Sequence, residues 1–111
     1  MAQGRDGQFR VEAIGDTMSK YVIVRCSGAG VHAGELVSKT DTTVTLANSR
    51  RLWAWSGAAS LSEIAVYGAK NSDKCRFAVA VPEIELSGWH EIIVCRPEGE
   101  KMIRECRKWE Q

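Results

Sequence analysis

The stretch Tyr21-Val22-Ile23-Val24-Arg25-Cys26 decides the fold class. Its β-branched and aromatic residues suit a pleated, buried surface. It reads as a buried strand carrying one charge near its end, at Arg25. Ser27-Gly28-Ala29-Gly30 follows as a turn, and residues 31–38 read as a second strand. Lys39-Thr40-Asp41 turns the chain into Thr42-Thr43-Val44-Thr45-Leu46-Ala47, a third strand with partial alternation. Three strands joined by such short turns predict an antiparallel meander.

Beyond the meander, Leu52, Trp53 and Trp55 extend the apolar character. Ser60-Leu61-Ser62-Glu63 is a capping box, in which the serine hydroxyl and the glutamate carboxylate each satisfy an amide at a helix start. A short helix to about Tyr67 is predicted, stopped by Gly68. Asn71-Ser72-Asp73 makes a loop. Residues 76–81, 83–86 and 90–95 read as strands, with Pro82 and Ser87-Gly88 as interruptions. The tail from Glu98 to Trp109 sets Met102, Ile103 and Cys106 on one side of a short amphipathic helix. The expected class is α+β: a small, mostly antiparallel β-sheet domain with two short helices.

The length of 111 residues allows one small domain, for which extra burial in an oligomer is an advantage. Residues 18–111 form that domain in this reading. Residues 1–17, rich in Gly, Gln and charge, read as a flexible leader or upstream extension, although Phe9-Arg10-Val11-Glu12-Ala13-Ile14 alternates weakly as a short strand does. Fifteen basic and 14 acidic residues leave a formal net charge of +1, which argues against a long nucleic acid held on a broad basic face. No apolar run is long enough for a transmembrane helix, and no secretory h-region precedes residue 18. Cys26, Cys75, Cys95 and Cys106 are scattered, without the paired spacing a zinc site uses, and predict four reduced thiols in a cytosolic protein.

The densest functional signal is Asn48-Ser49-Arg50-Arg51-Leu52-Trp53-Ala54-Trp55-Ser56-Gly57. Guanidinium groups pair with phosphate, and indole faces stack on bases or guanidinium planes. Adjacent arginines on a strand face opposite sides, so only one of Arg50 and Arg51 reaches a given pocket; both as solvated surface charges is the plainer alternative. Trp53 and Trp55 share a face if the strand continues, and are either core or ligand platform. The small residues Gly57-Ala58-Ala59 would let backbone amides approach an anion. Arg25 must meet a carboxylate, such as Glu35 or Glu91, or a ligand phosphate. Phe77 is a core aromatic or a stacking partner, and Arg104 and Arg107 are most simply surface charges. His32 and His90 sit in no base or metal motif, and no nucleophile elbow, P-loop or dinucleotide fingerprint is present. Binding is expected rather than catalysis, with no metal and no cofactor.

From Met18 to about Trp109 the order of features resembles the phage anti-Thoeris sponges, in the first-described group of such proteins. The matching pieces include Lys20-Tyr21-Val22-Ile23-Val24-Arg25, Ala29-Gly30-Val31-His32-Ala33-Gly34-Glu35-Leu36, the Asn48–Trp55 segment and Gly57-Ala58-Ala59-Ser60-Leu61-Ser62-Glu63-Ile64-Ala65, then Cys75-Arg76-Phe77 and Glu91-Ile92-Ile93. The resemblance implies a binder that captures a cyclic ADP-ribose isomer made by a bacterial TIR-domain sensor, in the cytoplasm of the infected host. It implies a homo-oligomer, a dimer or trimer of dimers, with pockets between subunits; some members also hold cyclic oligonucleotides of the CBASS type at separate sites. By motif match, Arg25, Arg51, Phe77 and Arg104 become ligand residues, with Asn48, Arg50, Trp53 and Trp55 in support. Ala78-Val79-Ala80-Val81 offers no polar group to read a purine, which leaves the isomer open. The alternatives are a sponge for cyclic di- or trinucleotides, a protein-interaction module that inhibits an enzyme through exposed tryptophans, and a hydrolase of the signal.

Overall fold

A computed structural model describes residues 20–110. The leader reading and the start at Met18 fall outside the described residues. The strands are β1 (Tyr21–Cys26), β2 (Gly30–Lys39), β3 (Thr43–Ala54), β4 (Arg76–Phe77), β5 (Val81–Ser87) and β6 (Trp89–Val94). Two helices, α1 (Leu61–Tyr67) and α2 (Pro97–Glu105), and a 3-10 turn at Ser72–Lys74 complete the elements. The expected α+β class is the observed one. β1, β2 and β3 form the predicted antiparallel meander, and β6 pairs with the other edge of β1.

β3 organises the molecule because its far edge is shared. Its first half pairs with β5, from Thr43 opposite Ser87 to Ser49 opposite Val81, and its end pairs with β4 through Leu52 and Phe77. β5 runs through Gly88 into β6, so one bent segment leaves the β3 edge and returns along β1. The corner is stitched on both sides: the Gly88 amide donates to Thr42 O at 2.9 Å, and Gly88 O accepts from Ser27 N at 3.0 Å. Gly88 has φ +72°, a backbone region in which a residue without Cβ is unstrained. The sheet is thereby curled, and Val22, Val24 and Cys26 meet Val44, Leu46 and Leu86 inside the curl.

The alternate residues of β1 face the helices. Tyr21, Ile23, Ala33 and Leu52 pack with Ile64, Ala65, Phe77 and Ile103 in a second core. The capping box forms, with Glu63 N donating to Ser60 Oγ at 3.1 Å, and Gly68 ends α1 at φ +81°. α2 begins at Pro97, whose missing N–H costs nothing in a first turn. Gly99 lets it lie on α1, since a Cβ there would collide with the carbonyl oxygens of Ala65 and Ile64.

Several boundaries differ from expectation. β3 does not end at Ala47; Asn48 adopts φ +50° and the strand continues to Ala54, with the register shifted against Gly34. Asparagine tolerates the left-handed region better than most residues, so it absorbs a bulge there. The strand expected over 76–81 is only Arg76–Phe77. Pro82 interrupts nothing, because β5 is an edge strand and Pro82 falls between the register positions Val81 and Glu83. The tail helix stops at Glu105, after which the chain is extended and Trp109 N donates to Phe77 O at 2.9 Å.

Candidate functional site

The strand geometry separates the two adjacent arginines as alternation requires. Arg50 lies opposite Ala33 on the helix side, and Arg51 opposite His32 on the other. Arg50 is buried and spends its guanidinium on main chain. Its Nε donates to Ala78 O and its Nη1 to Ile103 O and Cys106 O, each at 2.7 Å, and its Nη2 donates to Phe77 O at 3.0 Å. Four carbonyls satisfy a charge that burial otherwise penalises, and burial pushes its pKa below the ordinary arginine value. Arg50 is therefore part of the scaffold. Sequence alternation alone does not disclose that partner set, because all four carbonyls lie at least 27 residues away.

Arg51 is half-buried. Its Nη2 donates to Ala29 O at 2.8 Å, and its guanidinium lies 4.9 Å from the centre of the Trp53 ring. The same Ala29 carbonyl accepts from His32 Nε2 at 2.8 Å, so the buried imidazole carries its proton on Nε2. Burial first, and then Arg51, depress the His32 pKa despite that hydrogen bond, and the ring is neutral. Trp53 is 57% exposed. Trp55 does not share its face: the strand ends at Ala54, and Trp55 turns to pack against the helix-side core.

The other expected ligand residues are dispersed. Arg25 is exposed rather than buried, and its Nε donates to Glu91 Oε1 at 3.1 Å, one of the two carboxylates anticipated for it. Arg104 donates to Glu35 at 2.9 Å and to Glu100 at 2.8 Å, and lies over the Tyr21 ring at 4.6 Å. Asn48 Nδ2 donates to the same Glu35 oxygen at 3.3 Å. Phe77 is fully buried under Arg50 and has no ring face open to a ligand, so its stacking role is corrected to core. The Gly57-Ala58-Ala59 loop is also occupied: Ala59 N donates to Glu63 Oε1 at 3.0 Å, which places a carboxylate where an anion would sit. A Cβ on Gly57 (φ +91°) would press on the Lys70 and Asn71 amides, a backbone contact rather than an opening.

The structure instead brings Trp53 to a groove formed with Arg76 of β4 and Trp109 of the tail. One lobe, of about 390 Å³, is lined by Trp53, Ala54, Arg76 and Trp109. A second, of about 580 Å³, shares Arg76 and Trp109 and adds Lys74, Cys75, Arg107 and Lys108, with Asp73 and Glu110. Arg76 lies 5.3 Å from the Trp109 ring centre, so each exposed indole of the groove carries a guanidinium on one face. Hollows of this size suit a small molecule of nucleotide dimensions. Arg76 and Trp109 are not among the site residues expected from the sequence. The usable signal was that Arg107-Lys108-Trp109 repeats the basic-aromatic composition of Arg50-Arg51-Leu52-Trp53.

Among the described residues no group of three or more His, Cys, Asp or Glu side chains is placed to hold a metal, and no helix is long and apolar enough to cross a membrane. No disulfide links the four cysteines, of which Cys95 alone is not fully buried.

Fold and groove together define a curled antiparallel-sheet domain with a basic-aromatic surface site. Residues 19–103 match the domain of unknown function DUF6948, and the chain belongs to that family. Arg51, Trp53 and Arg76 lie within the matched residues, whereas Arg107, Lys108 and Trp109 follow them. No curated protein and no solved structure matches the chain.

Proposed function

We propose that this protein captures a small nucleotide signal of the cyclic ADP-ribose type and holds it without cleaving it, as an anti-Thoeris sponge. The observation that carries this reading is a groove of nucleotide size lined by Trp53, Arg76 and Trp109, in which Arg76 stacks on Trp109 while Arg51, outside the lining, backs the Trp53 ring. A purine can stack on an indole or guanidinium plane, and two phosphates can pair with arginine. The near-neutral net charge favours a small ligand over a polymer. The resemblance over the Asn48–Trp55 segment supplies the ligand class. Sequestration needs tight binding alone, and nanomolar affinity corresponds to about −12 kcal/mol. Self-association as a dimer or trimer of dimers, in the bacterial cytoplasm, is part of the same reading, and a CBASS cyclic oligonucleotide is the neighbouring ligand class.

The test is calorimetric titration of the purified protein with cyclic ADP-ribose isomers, followed by chromatography of ligand released by heat. The proposal expects saturable binding and intact ligand. Absence of binding, or release of a cleaved product, overturns it. A second reading has one observation in its favour, the exposure of the Trp53 indole, which suits an anchor for a protein partner. It predicts a stable complex with a host enzyme and no nucleotide binding.

A further inference from the structure

We infer that the larger lobe of the groove is a diphosphate subsite, in which Lys74, Arg76 and Arg107 take the two phosphates while the base lies in the smaller lobe toward Trp53. Three segments far apart in sequence deliver these cations: the 3-10 turn holds Lys74, β4 holds Arg76, and the extended chain after α2 holds Arg107 and Lys108. Four cations of that lobe face two carboxylates, Asp73 and Glu110, an excess of two positive charges. One of the pairs is made, with Lys108 Nζ 3.3 Å from Glu110. Among the described residues Lys74, Arg76 and Arg107 have no carboxylate within ion-pair distance. Like charges gathered this way repel, and an anion removes that cost while gaining charge-assisted hydrogen bonds.

Arg25 and Arg104 contrast with them. Both are already on carboxylates, Glu91 for the first and Glu35 with Glu100 for the second, so a phosphate there must displace a made ion pair. The two lobes also differ in character: Trp53 and Ala54 line only the smaller one, and the lysines only the larger. Arg76 and Trp109 belong to both, which orients a ligand with a planar ring at one end and a diphosphate at the other.

This inference rests on the nucleotide-capture reading only for the identity of the whole ligand; the subsite itself is defined by the anion. The probe is inorganic pyrophosphate, titrated by calorimetry into the full chain, into a Lys74→Gln/Arg107→Gln double variant, and into an Arg96→Gln control. Lys74, Arg96 and Arg107 are all exposed, and circular dichroism checks that each variant is folded. Expected are binding at one site per chain, tighter than orthophosphate, a loss of about tenfold or more in the double variant, and no change in the control. Absence of pyrophosphate binding, or equal binding by the double variant, overturns the subsite. Cyclic ADP-ribose binding that the double variant leaves undiminished also overturns it, with the capture reading intact. Pyrophosphate binding without cyclic ADP-ribose binding supports the subsite and defeats the capture reading.

Discussion

Arg50 donates from Nη1 to the carbonyl of Ile103 at 2.7 Å, tying the middle of β3 to the last turn of α2. The same nitrogen reaches Cys106 O, and the other guanidinium nitrogens hold Phe77 and Ala78. One side chain thereby fixes β3, the β4 end and the tail that carries Trp109.

Arg50 and Arg51 therefore differ in what their loss does. Arg50→Ala removes the donors to the carbonyls of Ala78, Ile103 and Cys106, while Phe77 O keeps Trp109 N, and should cost at least about 3 kcal/mol, because each buried acceptor left unpaired costs roughly 1–3 kcal/mol and neighbours are not additive. Arg50→Lys should rescue little, since one ammonium cannot reproduce the planar fork. Arg51→Ala should cost only about 1–2 kcal/mol, for one hydrogen bond and one cation–π contact. Urea unfolding of the three variants checks the order.

Phe77→Ala should lower stability by about 3–5 kcal/mol, as for other fully buried aromatics. Phe77→Leu should recover much of it and, if the ring stacks on nothing but core, should bind nucleotide as the parent does. A Phe77→Leu protein that folds normally but loses ligand would restore the stacking role.

Gly99→Ala should be destabilising by about 1–3 kcal/mol although alanine is the better helix former. Its methyl group would meet the Ala65 carbonyl that already accepts from Arg96 N at 2.9 Å. An unchanged melting temperature would contradict the close crossing of α1 and α2.

Stability should fall at both ends of the pH scale. His32 has a depressed pKa when folded, so its contribution is full above the unfolded value of about 6.5 and is lost on acidification. Tyr21 is pushed up to about 12, chiefly by burial, with Arg104 acting the other way. Cys95 is raised to about 12 by burial and then by Glu100. Their raised values favour the folded state fully below the unfolded values, with loss as pH rises from about 8.5 for the thiol and 10 for the phenol toward 12. Denaturant midpoints across the pH range test this, and His32→Gln should flatten the acid limb.

The β-rich class, the meander, the capped helix and the opposite facing of Arg50 and Arg51 were legible because each rests on local pattern: β-branched runs, turn residues, Ser60 with Glu63, and strand alternation. The extent of β3 was hidden by Asn48, whose left-handed backbone allows a strand to pass through a sequence that looks like a loop. The site was less legible. Phe77 entered the ligand set through the motif match alone, and alternation across β4 turns Arg76 outward and sends the ring inward. Trp109 gains its position from a hydrogen bond to Phe77, 32 residues earlier, and no local period announces such a contact. The motif Arg51–Trp53 kept its prominence, with partners that came from β4 and the tail.

The most direct test of the central claim is calorimetric titration of a cyclic ADP-ribose isomer into the parent and a Trp53→Ala/Trp109→Ala variant. Capture in the groove predicts saturable binding by the parent, intact ligand on heat release, and at least about tenfold weaker binding by the folded variant, since each stacked base is worth roughly 1–3 kcal/mol. Equal binding by both proteins, or none by the parent, would contradict it.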